Sequence, residues 1–163
     1  MKNIKWNIKQ FIHHIKNLIY WFPIIWNDYD WDYIFMLKIM RHKLNSMQKY
    51  FDSDNPQTED APDHAKEMRD IIERFDRVID ATHLETELKV FEEKYPDYNF
   101  LKSLENSFIK SEDHPDMFEY KSDMTKEQDE MFMACSKIAD KKEQEDYEYI
   151  FNTLRDKIQW YWD

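Results

Sequence analysis

The chain contains no glycine in 163 residues, where average usage of about 7% would supply about eleven. Glycine is the default residue for positive φ and for close approach of backbone to a ligand. Its absence removes the glycine-rich phosphate loops and dinucleotide fingerprints. It also disfavours hairpins with tight primed turns, and with them a sheet of any size. Helices can end on asparagine or proline instead, so the expected fold is all-α: one helical bundle of five or six helices spanning 1–163, with no sheet.

Charge and cysteine content narrow the functional classes. The net charge is −11, which argues against bulk nucleic acid as a partner because that affinity is carried by Lys and Arg on phosphates. The charge is unevenly divided, with +5 over residues 1–50 and −16 over the remainder. Cys135 is the only cysteine, so no intrachain disulfide can form and a reducing compartment is expected. Its neighbours Met131, Phe132 and Ile138 suggest a buried structural thiol. The longest uncharged apolar run, Ile19 to Trp26, is too short to span a bilayer. Lys9, His13, His14 and Lys16 interrupt any signal-peptide core.

Residues 4–22 place Ile4, Ile8, Phe11, Ile12, Ile15, Leu18, Ile19 and Phe22 at helical spacing, and Pro23 is expected to stop that helix. A second helix from Trp31 carries Tyr33, Leu37, Met40, Leu44, Met47 and Phe51. Residues 52–62 hold two prolines and a run of acids and read as a loop. A third helix follows with Asp63 as its cap and Met68, Ile72, Phe75 and Ile79 on one face. The stripe resumes at Leu84, Leu88, Phe91 and Tyr95 after an irregular step, which predicts a break around Ala81–His83, and Pro96 ends the segment. Phe100 to Phe108 suits a short helix, and 110–124 reads as a second loop. Thr125 and Gln128 then match a capping box at the head of the last helix, whose charged middle, residues 140–146, is expected to be solvated or locally bent. The first two helices and the last are expected to form the aromatic core.

Three groups of residues could carry chemistry. Asp28, Asp30 and Asp32 could converge on a hard cation in an extended turn, but without a calcium-loop glycine they read better as helix-capping carboxylates. A metal-dependent enzyme using them is kept as an alternative. Lys38, Arg41 and His42, with Trp26, Trp31 and Tyr33, form a basic aromatic strip of the kind that holds a small anionic nucleotide by phosphate charge and base stacking. The histidine pairs His83/Glu87 and His64/Glu67 read as surface pairs. The terminal Trp160-Tyr161-Trp162 carries too much aromatic area to leave in water and should dock, onto its own core or onto a partner.

The stretch "WNDYDWDYIFMLKIMRHKLNSM" and the ending "WYWD" together resemble a group of small bacteriophage proteins. These share a Trp-Asp-Tyr helix start, an apolar helix with a late Lys-Leu, and a Trp-Trp-Asp end. Trp31, Asp32, Tyr33, Leu37, Lys43 and Leu44 match the first element, and Trp160, Trp162 and Asp163 the second, with Tyr161 intervening. The resemblance covers about a fifth of the chain. It implies phage origin and expression in the cytoplasm of the bacterial host, and it carries no activity. The leading expectation is a non-enzymatic accessory protein, with no cofactor, that binds a host or anti-phage defence protein through its acidic surface. Sequestration of signalling nucleotides is the alternative. A bilayer is not the expected partner, although the lysine-flanked face of residues 1–22 would suit lying on one.

Overall fold

The computed structural model describes residues 2–26, 33–54, 59–99, 108–110, 118–120 and 123–162. Five α-helices are present among them: α1 (Lys2–Ile25), α2 (Tyr33–Phe51), α3 (Ala61–Ile79), α4 (Thr82–Lys94) and α5 (Lys126–Lys157), followed by a 3₁₀ turn at Trp160–Trp162. The all-α class expected from the missing glycine is what the structure shows. One short extended feature is added to it. Strands β1 (Phe108–Lys110) and β2 (Phe118–Tyr120) pair antiparallel with Phe108 opposite Tyr120 and Lys110 opposite Phe118. A tight primed turn would need glycine or its like, but these strands are joined through residues 111–117, a connection long enough to need none. The short helix expected over 100–108 lies mostly outside the described residues, and its last residue, Phe108, begins β1.

The described chain clusters into two compact units, where the sequence was read as one domain. The first holds residues 1–75 with 161–163, the second residues 76–160.

In the first unit, α2 buries Leu37, Leu44, Met47 and Phe51 along the predicted stripe, while Tyr33 at its start is exposed. The α3 helix buries Ala61, Ala65, Met68, Ile71, Ile72 and Phe75, and each large member contributes about 1.5–3 kcal/mol by leaving water. The helix begins before Asp63, the expected cap. Pro62 suits the first turn, where a missing donor costs nothing, and the Asp60 carbonyl accepts from the amides of Asp63 and His64. Tyr161 docks on this helix: it is 1% exposed, its hydroxyl donates to Glu67 Oε2 at 3.0 Å, and its ring meets His64, which in turn meets Phe51. The C-terminal aromatics thus dock through Tyr161, while Trp160 stays 68% exposed.

The largest departure from expectation is α1. It runs through Pro23 to Ile25, because a proline near a helix end deletes only one backbone donor, and the chain still closes Trp26 N to Phe22 O at 3.0 Å. Its stripe is not core. Ile8, Phe11, Ile15, Leu18, Ile19 and Phe22 are each 40–67% exposed. The half-buried residues near its end are Tyr20, Trp21 and Ile24, and the first two meet α2 through His42.

In the second unit, α3 stops at Ile79 and α4 starts at Thr82, as the broken spacing predicted. Ala81 makes the corner at φ 50°, ψ 34°, a left-handed conformation that glycine would normally take. The α4 and α5 helices pack antiparallel. Lys94 and Tyr95 meet Glu127, Phe91 meets Phe132, Glu87 meets Lys142 and His83 meets Asp146. Thr125 caps α5 as predicted: its hydroxyl accepts from Gln128 N at 3.3 Å and its amide donates to Gln128 Oε1 at 2.8 Å. The charged middle of α5 continues as one helix. Its buried side is Cys135, Ala139, Asp146, Ile150 and Leu154, while Ile138 and Phe151 are exposed. Cys135 is buried, as its neighbours suggested.

Candidate functional site

The basic aromatic strip divides once side chains are placed. His42 turns toward α1, its ring 3.9 Å from that of Tyr20 and 4.9 Å from that of Trp21 between centroids. The Tyr20 hydroxyl donates to the His42 carbonyl at 3.0 Å. Burial holds the His42 imidazole below its ordinary value; hydrogen bonding of the ring to the Tyr20 backbone opposes that, and Arg41 and Lys49 add to the lowering as neighbouring cations. His42 is therefore a neutral packing ring that joins α1 to α2. Lys38 and Arg41 are half-buried on α2, and Trp26 and Tyr33 are exposed. Trp31 lies outside the described residues, as do Asp28, Asp30 and Asp32, so neither the capping nor the metal reading of those aspartates is placed. No group of three or more potential metal-ligating side chains occurs among the described residues.

A constellation the sequence reading missed occupies the second unit. Asp146 is buried on α5, and the Arg77 guanidinium grips it with two parallel bonds, Nε to Oδ2 and Nη2 to Oδ1, both 2.8 Å. His83 Nε2 lies 2.8 Å from the same Oδ2. One turn away on each helix, Lys142 Nζ lies 2.6 Å from buried Glu87 Oε1. His83 and Glu87 therefore do not pair with each other as a surface couple. Each reaches across to α5, and His64 and Glu67 likewise meet Phe51 and Tyr161 rather than one another. A carboxylate that orients a histidine is half of a nucleophile-activating relay. Here the carboxylate is shared with a bidentate arginine, and no hydroxyl or thiol is bonded to the histidine among the described residues. The arrangement pairs two buried carboxylates with cations that reach solvent and fastens α4 and the end of α3 to α5.

What remains outside this network is strongly acidic. The second unit carries twelve Lys/Arg against twenty-two Asp/Glu, a net −10, while the first is close to neutral at eleven against twelve. Asp80, Glu93, Asp97, Asp129 and Asp140 stand exposed, with no ion pair among the described residues. Asp129 and Asp140 are eleven residues apart and so share one face of α5, with exposed Met133 between them. Beyond the end of α4, an open groove of about 820 Å³ is lined by Glu92, Glu93, Tyr95 and Tyr98, among others.

No family model, no curated protein and no solved structure matches the chain. No described helix is long and apolar enough to cross a membrane.

Proposed function

We propose that this is a non-catalytic accessory protein of a bacteriophage, acting in the cytoplasm of the infected host, where its acidic second unit binds a basic host or anti-phage defence protein. The observation that carries this reading is the separation of buried from exposed charge in that unit. The carboxylates of Asp146 and Glu87 are neutralised internally, and a net −10 with carboxylates facing solvent is left for a partner. Such a surface steers a basic partner toward it and competes with phosphate for nucleic-acid-binding sites. The Trp31-Asp32-Tyr33 start and the aromatic-Asp ending support the phage assignment by resemblance.

The test is affinity capture from bacterial lysate by the full chain, repeated as salt rises from about 50 to about 400 mM, which shortens the screening length more than twofold. A captured basic protein that is released by salt, and is not captured by the double variant Asp129→Lys/Asp140→Lys, is the expected result. Capture that ignores salt and charge reversal overturns it, and so does no protein capture at all. Small molecules released from the bound chain are identified by mass spectrometry in the same experiment. A nucleotide recovered in place of a protein shifts the reading to sequestration by Lys38 and Arg41.

A further inference from the structure

We infer that α1 is an in-plane anchor for an anionic lipid surface. The argument starts from which side of α1 the protein itself uses. Tyr20, Trp21 and Ile24 are half-buried, and the first two hold His42 of α2. At 100° per residue these positions centre nearly opposite the stripe of Ile8, Phe11, Ile15, Leu18, Ile19 and Phe22. The helix is therefore fastened by its sparsely apolar side, and its richest apolar face, an arc of about 140°, stands in solvent. An exposed face of this size on a soluble chain marks an interaction site.

Charge selects the occupant. Residues 2–25 hold four lysines and no Asp or Glu, on a chain of net −11. Lys9 and Lys16 are exposed along one border of the stripe. Residues spaced four and three apart, from Ile4 through Ile25, could also form a two-helix seam. In a seam between two copies, however, the flanking lysines would find no acid on the facing helix. The additional apolar row of Ile12, Ile19 and Trp26 also widens the stripe beyond the narrow a/d band of such a seam. An anionic bilayer answers both features: the broad apolar face enters the acyl boundary, and lysines on its border meet lipid phosphates. The interaction rests on the charge of α1 itself, four lysines and no acid. This inference is independent of the acidic unit's protein partner.

Co-sedimentation of the full chain with vesicles of phosphatidylglycerol and phosphatidylethanolamine tests it, alongside vesicles of phosphatidylcholine alone. Sedimentation with the anionic vesicles, at least about tenfold stronger than with the neutral ones, is expected because each cation near the surface contributes about a factor of five. Phe11→Ser/Leu18→Ser replaces two exposed side chains, so circular dichroism and Tm should hold while vesicle binding falls about tenfold or more. Lys9→Glu/Lys16→Glu should remove the preference for anionic lipid. Absence of sedimentation with anionic vesicles overturns the inference. It is equally overturned if light scattering finds a dimer that Phe11→Ser/Leu18→Ser converts to monomer, which would assign the face to a second copy.

Discussion

Asp146 shows how a single residue can hold this fold and hide it from sequence reading. Along α5 the buried side passes Cys135 and Ala139, reaches Asp146, and resumes at Ile150 and Leu154. A charged residue at a core position breaks the apolar period, so the middle of the helix reads as solvated. Its partners Arg77 and His83 lie 69 and 63 residues away, beyond any local pattern. Asp146→Ala would strand the guanidinium and the imidazole, and because Arg77 stays partly exposed the cost falls at the lower end for a broken buried pair, about 3 kcal/mol. In a chain this long that is a drop of about 9 °C in Tm. His83→Ala removes one hydrogen bond and should cost only about 1 kcal/mol, so the two variants separate a charge network from a single contact. His42 supplies the pH dependence. Its pKa is held below 6.5 in the fold, so the unfolded chain takes up the proton first. The stability it contributes is complete above 6.5 and is lost as pH falls from there toward the folded value. Thermal melts of the wild type and of His42→Phe should diverge in slope only in that acidic window and run parallel above pH 7.

At the scale of elements, helix ends were legible where they rest on local chemistry, and faces were legible where apolar residues do the packing. The Thr125 and Gln128 capping box, the stop before Pro96 and the break near Ala81 all follow from residues within one turn of the event. The buried stripe of α2 follows from its spacing alone. The start of α3 was misplaced because Pro62 and the Asp60 carbonyl open the helix before the more obvious Asp63. The candidate site was less legible. The spacing of Lys38, Arg41 and His42 puts them on one side of α2 but cannot say that Tyr20 and Trp21 of another helix take the imidazole. The missing glycine predicted the fold class and also leaves a mark at the α3–α4 corner. Ala81 adopts left-handed angles that cost an L-residue about 1–2 kcal/mol. It is exposed, so Ala81→Gly forfeits no packing. After the entropy that glycine adds to the unfolded chain, a net gain of about 0.5–1 kcal/mol is expected, read as a higher urea midpoint at unchanged m-value.

At the scale of the whole molecule, the two units divide the charge, one close to neutral and one at −10, with the lysine-bearing apolar helix in the first. The acidic unit and α1 are proposed for different partners, a basic protein and an anionic lipid surface, and the charge reversal on α5 and the serine substitutions on α1 should each abolish one and spare the other. The exposed face of α1 also has a colloidal consequence. A solute with such a greasy strip stays dispersed in water only while its copies repel one another, and here that repulsion comes from the net charge of −11. Raising ionic strength to about 1 M shrinks the repulsive range to about 3 Å, and bringing the pH to the isoelectric point near 5.0 removes it. Both conditions leave the strip as adhesive as before, so the acidity proposed to recruit a partner to the second unit also serves as the suspending agent for the first.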